Sequence, residues 1–271
     1  MNTRQTAQMA VQAPGSRSKL ASRVEKVLNS ILAGEPGVSL NVTAGELLAE
    51  PVSVASVISA ALDRPATGVS AHWRVHEVFR RSGLGDDLLN ALVAPNPLTR
   101  AAAARLCGAL RLTESVPWIG DLLADPNARV RDAAIRALGH MGGQRAIELL
   151  VGAADRIPLY RLAITLSRGA SDLDIEALMR QPRSERAAVV TVLACGLRGD
   201  LLRIPPLVGI ANDRRWPKQV RVAACISLGM IGEQSAVEGL ARVSEGDPVP
   251  VVKGAAGRAR KRLIRAAAVE P

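Results

Sequence analysis

Between residues 125 and 156 the chain reads DPNARVRDAAIRALGHMGGQRAIELLVGAADR, and the spacing of its apolar positions predicts two helices. Val130, Ala133, Ala134, Ala137 and Leu138 fall at i, i+3, i+4, i+7 and i+8, one stripe of a helix, while Arg129, Asp132 and Arg136 lie off it. Asp125 and Pro126 fit the helix start. An aspartate can cap free backbone N–H groups, and a proline at the first helical position gives up a donor that the first turn does not use. Gly139 and the pair Gly142-Gly143 interrupt the pattern, and positive φ at these glycines is expected to end the helix. Ala146, Ile147, Leu149, Leu150 and Ala153 then give a second helix a broad apolar face, with Gln144, Arg145 and Glu148 at its polar start. Such a hairpin has apolar surface on more sides than it can cover alone, so it needs neighbours.

The neighbours are copies of the same pattern. A shift of 31 residues aligns Pro95-Asn96 with Pro126-Asn127, Arg100 with Arg131, Arg105 with Arg136 and Gly108 with Gly139. A basic residue eight positions before a glycine recurs as Arg161 to Gly169 and Arg221 to Gly229, and the glycine intervals are 31, 30, 27 and 33 residues. The fourth copy departs from the pattern. Ala188 stands eight positions before Gly196, and Pro205-Pro206 should kink or delay its second helix. Asp247-Pro248 and Lys253-Gly254-Ala255-Ala256 repeat the start of the unit without a second helix after it, as a closing cap would.

These residues, above all DPNARVRDAAIRALGHMG, resemble the bacterial HEAT-like repeat, the kind also found in phycobilin lyases, over roughly 95–264. The resemblance implies an all-α fold: an α-solenoid of the ARM/HEAT type, a right-handed superhelix of stacked helical hairpins. First helices are then expected on the convex side and second helices on the concave side, where another macromolecule is held. It also implies that the Asp before a first helix and the basic residue within it tie adjacent units together, a role that Asp125 with Arg131 and Asp247 with Lys253 fit. Arg100, Arg131, Arg161, Arg221 and Lys253 are on this reading structural rather than a binding ladder.

The rest of the chain divides around the repeats. Residues 1–16 have no apolar periodicity and are expected to be a disordered tail without a signal segment. Residues 17–68 form a helical extension. Its first part carries Leu20, Val24, Val27, Leu28 and Ile31 on one stripe, suited to packing on the solenoid or to an acidic surface, and two short helices follow near 43–50 and 52–63. Residues 69–248 carry the repeats, the first of them imperfect, and 249–271 a basic capping helix. The core must be aliphatic, because hydrophobic residues make up 48% of the chain and aromatic ones only 2%. No uncharged run approaches the ~20 apolar residues that a membrane-spanning helix takes, so a soluble, cytoplasmic protein is expected. Thirty of the 35 basic residues are arginine, and alanine is abundant, a composition that points to a GC-rich bacterial source.

The net charge of +10 invites a nucleic-acid reading, and its distribution opposes one. Residues 1–26 account for +4 and residues 249–271 for +5, which leaves +1 between them. The second helices carry mixed charge (Arg145 and Glu148, Glu176 and Arg180, Glu238 and Arg242), and the last two pairs have the i, i+4 spacing at which each acid satisfies its own base. A groove that follows phosphates is uniformly basic and offers stacking aromatics.

The expected role is therefore a non-catalytic scaffold or adaptor. Asp121, Glu148, Glu176, Arg180, Glu238 and Arg242 would contact one partner protein segment, with Trp216, flanked by Arg214, Arg215 and Lys218, as the candidate anchor. Lys253, Arg258, Arg260, Lys261, Arg262 and Arg265 form a basic patch, read first as a solvated cap and second as a contact for acidic protein, anionic lipid or nucleic acid. Two alternatives stay open: a nucleic-acid-binding HEAT-like protein that uses its basic termini, and a phycobilin-lyase-like enzyme subunit.

No enzyme, metal or other cofactor is expected. His72 and His76 lie one turn apart beside Glu77, without a third ligand. The HEAT-repeat di-iron hydroxylase that acts on deoxyhypusine relies on several His-Glu pairs, and this chain has only His76-Glu77. Cys107, Cys195 and Cys225 have no CxxC partner and read as core residues of a reducing compartment. Neither GxxxxGK[ST] nor GxGxxG occurs. Trp118 aligns with Leu149 and is expected to be buried.

Overall fold

The computed structural model describes residues 18–64 and 68–268, so the tail expected over 1–16 lies outside the described residues. Among the described residues there are sixteen α-helices, short 3₁₀ turns and no strand. The chain divides into two compact units, Met1–Leu88 and Leu89–Pro271.

The first unit contains α1 (Lys19–Ala33), α2 (Ala44–Ala49), α3 (Pro51–Leu62), α4 (Val69–Arg81) and the start of α5 (Leu84–Ala91). The Ser18 hydroxyl caps α1 by accepting from the Ala21 N–H at 3.0 Å, and Gly34 ends the helix at φ 81°. The apolar stripe of α1 turns inward. Ala21, Val24, Leu28 and Ile31 are buried, and the helix packs on α3 and α4, so its amphipathic pattern records a core seam. Arg74 of α4 donates through Nε and Nη2 to the Ile31 and Leu32 carbonyls at 3.1 and 2.9 Å, which satisfies the open C-terminal end of α1. Thr43 and Glu46 close α2 with a reciprocal capping box.

In the second unit six first helices, α6 (Pro97–Leu110), α8 (Ala128–Met141), α10 (Leu159–Gly169), α12 (Glu185–Arg198), α14 (Lys218–Ile231) and α16 (Pro250–Ala267), pack each against the next. The second helices α7 (Val116–Asp121), α9 (Gly143–Gly152), α11 (Asp172–Arg180), α13 (Ile204–Asn212) and α15 (Val237–Gly246) form the other layer, in which α7 meets α9, α9 meets α11 and α13 meets α15. This is a hairpin stack of the α-solenoid type. Its core consists of alanine, leucine, valine and isoleucine with all three cysteines. Pro205 and Pro206 fall in the first turn of α13, after a 3₁₀ turn at Leu201–Arg203, so they delay the helix without kinking it.

Three features differ from the pattern-based expectations. Gly139 does not end α8. It lies inside the helix, buried, and Gly142 and Gly143, with φ of 64° and 76°, make the turn. The repeat glycine instead permits close approach: a Cβ on Gly108 would stand 2.7 Å from the Ala137 Cα, and one on Gly196 2.7 Å from the Ser227 Cα, in each case the next first helix.

The helix cap is Asn127 rather than Asp125. Asn127 Oδ1 accepts from the Arg129 N–H at 2.9 Å, while Asp125 Oδ1 accepts from the Asn127 N–H at 2.8 Å.

The third difference is the partner of that aspartate. Asp125 receives Arg100 of the preceding repeat at 2.8 and 3.1 Å, and Arg131 donates to the Asp125 and Pro126 carbonyls of its own turn. In the same way Asp247 meets Arg221, not Lys253, which is exposed. The ion pairs therefore do join adjacent repeats, with the arginine contributed by the earlier one. Asp132 of α8, by contrast, receives Arg161 from the next first helix, α10, and Arg186 donates to the Ala154 and Ile157 carbonyls where the fourth copy lacks its arginine.

The hydrogen bonds from Arg100 hold the Asp125 carboxyl below its ordinary value, against the opposing effect of burial. A carboxylate with a lowered folded-state pKa contributes stability that is present above its unfolded pKa of about 3.9 and is lost as pH falls through the folded value. Asp125→Asn is therefore expected to flatten the stability–pH curve below about pH 4, read from urea midpoints across that range.

Candidate functional site

Most of the residues expected to meet a partner lie on the second-helix layer. Asp121 is exposed at the end of α7. Glu148 of α9 accepts from Gln144 at 2.9 Å and lies 3.8 Å from Arg183. Glu176 pairs with Arg180 within α11 and lies 4.0 Å from Arg203, and Glu238 pairs with Arg242 within α15 at 3.0 Å. Glu176 with Arg180 and Glu238 with Arg242 thus satisfy one another, as the i, i+4 spacing predicts.

Trp216 stands apart from them. It is half-buried in the turn between α13 and α14, so it belongs to the approach to a first helix. Of its basic neighbours, Arg215 pairs with Asp213 at 2.8 Å and Arg214 donates to the Gly246 carbonyl at 3.1 Å.

Apolar residues are also exposed, in the second helices and in the turn that leads into α13. Trp118 is 43% exposed, against the expectation of burial, and Leu173, Leu201 and Leu202 are 79%, 58% and 77% exposed. Trp118 and Leu149 hold the same place in successive copies, each beside a buried residue (Ile119 and Leu150), and that column is only partly covered, since Leu149 is itself half-buried. Leu149 itself packs over Gly120, where a Cβ would come within 2.8 Å of its Cδ1. Leu173 stands in the first turn of α11, where α9 carries Gln144 and Arg145, and an apolar residue in a place that is polar in the neighbouring copy is the pattern that marks it.

The basic patch lies on α16. Val252, Ala255, Ala256, Ala259 and Leu263 are buried, and the helix packs on α14 and α15. Arg260 pairs with Glu245 at 2.9 Å, while Lys253, Arg258, Lys261, Arg262 and Arg265 are exposed on the other side.

Groups with chemical potential elsewhere are engaged or buried. The His72 Nε2 lies 3.0 Å from the Leu62 carbonyl. Glu77, beside His76, takes hydrogen bonds from Arg80 and Arg81, which hold its carboxyl down at about 2. Burial pushes the Cys107 thiol up to about 12 and those of Cys195 and Cys225 up to about 11, far from the thiolate range of reactive cysteines. Among the described residues no three His, Cys, Asp or Glu side chains are grouped to hold a metal ion, and no helix is long and apolar enough to cross a membrane.

Residues 85–167 match the family described as HEAT repeats. These are HEAT-like repeats. The match runs from α5 into α10, and the helical hairpins after it continue the same two layers. Comparison with curated proteins gives no match. Similar solved structures include human deoxyhypusine hydroxylase in complex with glycerol, at 15% identity over 91% of this chain and 97% of that one, with a TM-score of 0.36. The complex of CpcE and CpcF of phycocyanin lyase from Nostoc sp. PCC7120 is similar at 19% identity over 78% of this chain and 92% of that one, with a TM-score of 0.32. An engineered protein is similar at 18% identity, 89% and 96% coverage and a TM-score of 0.29.

Proposed function

We propose that this HEAT-repeat chain is a non-catalytic cytoplasmic scaffold whose second-helix layer holds a segment of a partner protein. The observation that supports this reading is the exposure of Trp118, Leu173, Leu201 and Leu202 beside acids and bases that are already paired. Burying one large apolar side chain contributes about 1.5–3 kcal/mol, whereas an exposed ion pair contributes about 1 kcal/mol at most. Affinity on this layer would therefore come from the apolar residues. Asp121, Glu148, Glu176, Arg180, Glu238 and Arg242 would serve as a polar rim that fixes register, and Trp216 would act as a separate contact at the edge.

A second reading rests on the exposed arginines and lysines of α16, which suit the phosphates of a nucleic acid. Capture from host lysate, with and without nuclease, separates the two. One variant carries Trp118→Ala, Leu173→Glu and Leu202→Glu; the other carries Arg258→Gln, Lys261→Gln, Arg262→Gln and Arg265→Gln. Substitution is preferable to truncation because α16 completes the core. The scaffold reading expects nuclease-resistant partners whose capture falls at least about tenfold in the first variant and persists in the second. Nuclease-sensitive capture that is lost only in the second variant would replace it with the nucleic-acid reading.

A further inference from the structure

A groove of about 600 Å³ opens in the first unit between the C-terminal end of α1, the segment after it and α4. That volume lies within the range of small-ligand and side-chain pockets. Its apolar lining comes from Ile31, Val38, Leu40 and Val78, and Trp73 stands beside them 63% exposed.

The charges around the groove are unequally engaged. Arg74 is held by the α1 carbonyls and Arg81 by Glu77 at 2.6 Å. Glu35, also in the lining, makes no side-chain hydrogen bond or ion pair among the described residues and is exposed. The lining charge without a partner among the described residues is therefore the Glu35 carboxylate, and it lies beside an indole and an apolar lining.

A guanidinium or ammonium on an aliphatic stem answers all three. The cation meets the carboxylate and the indole face, and the methylenes cover the apolar lining. An anion would meet Glu35, while both arginines are already occupied. The wall formed by residues 38–40 is non-helical, and its N–H and C=O groups have no backbone partner among the described residues. An extended peptide can use such groups, which a free small cation would leave unpaired.

We infer that this groove binds an arginine or lysine side chain flanked by apolar residues in an extended segment of a partner protein. Every lining residue lies between 31 and 82, so the site is independent of the second-helix layer and of the role proposed for it.

Isothermal titration of the full chain with the peptide acetyl-Leu-Arg-Leu-amide, and with its citrulline and glutamate counterparts, tests the inference. Citrulline keeps the shape of arginine and removes its charge. The arginine peptide is expected to bind in the sub-millimolar range and the citrulline peptide about tenfold more weakly. Trp73→Ala should weaken the arginine peptide about tenfold, and Glu35→Gln should remove most of the preference for arginine over citrulline. Trp118→Ala should change neither. The inference is overturned if the arginine peptide shows no binding at millimolar concentration, if citrulline or glutamate peptides bind as well, or if Trp118→Ala weakens binding and Trp73→Ala does not. Both tryptophans are exposed, and far-UV circular dichroism checks that each variant keeps its helices.

Discussion

Replacing Gly196 with alanine is expected to destabilise the repeat stack by about 3 kcal/mol, and replacing Gly257 with alanine to stabilise it by about 1 kcal/mol. Both glycines lie in helices, α12 and α16, and intrinsic helix propensity favours alanine at each. The difference is what the new methyl meets. At Gly196 it would stand 2.7 Å from the Ser227 Cα and 2.8 Å from its Cβ and Oγ. A backbone atom cannot move aside, so α12 and α14 must separate along their shared length, which also strains the bond from Ser227 Oγ to the Val192 carbonyl, now 2.8 Å. At Gly257 nothing lies within 4 Å. Overpacking decides the first sign and propensity the second. Gly108→Ala should behave like Gly196→Ala, because its methyl would meet the Ala137 backbone. Hydrogen exchange in α12 and α14, with guanidinium midpoints for the whole chain, measures the effect, and a neutral Gly196→Ala would contradict the close-approach account.

The second large effect belongs to the pair of Arg221 and Asp247, whose side chains are each only 3% exposed. Asp247→Ala removes the carboxylate and leaves the guanidinium buried, with its bond to the Ala211 carbonyl at 3.2 Å still in place. Breaking a buried pair from one side costs about 3–5 kcal/mol, whereas replacing both partners with apolar residues of similar volume is often close to neutral. The single substitution should therefore cost about 4 kcal/mol, and the double substitution Arg221→Met with Asp247→Ala should recover most of the loss. Glu77 and Arg80 give the contrast. Arg80 is 71% exposed, and Glu77→Gln should cost far less than Asp247→Ala. Equal losses at the two sites would show that burial does not set the value of these pairs. Chemical denaturation of the three variants makes the comparison.

The repeat architecture was legible because a hairpin with surplus apolar surface must be repeated to be stable, and that need leaves a period in the chain. Val130, Ala133, Ala134, Ala137 and Leu138, placed by spacing alone, are all buried. Partners across the stack were less legible. Asp125 looks toward the arginine six residues after it in sequence, yet in space the preceding repeat's Arg100 reaches it first. Gly139 illustrates a related limit: a glycine near the end of an apolar stripe reads as a stop, and only the neighbouring helix shows that it is a point of contact. Trp118 was misplaced because its column is not a core column: Leu149, at the same place in the next copy, is itself only half-buried, while Ile119 and Leu150 beside them are buried. The groove in the first unit has no period, since a short non-helical segment and the ends of two helices create it. Its residues carried no mark in the sequence beyond being a tryptophan and an unpaired glutamate.

The placement of the aromatic residues has a consequence for spectroscopy. Trp73 and Trp118 are exposed, Trp216 is half-buried, and Tyr160, the only tyrosine, is 60% exposed; Phe79, the only phenylalanine, is wholly buried and emits weakly. Intrinsic ultraviolet emission therefore reports on this protein's surface while its aliphatic core is nearly silent. Loss of the fold will move the tryptophan band little, because indoles already in contact with water have little further to redshift. A thermal melt followed by that band would record a shallow drift in a molecule that is unfolding cooperatively, whereas a partner that covers Trp73 or Trp118 would shift the same band to the blue.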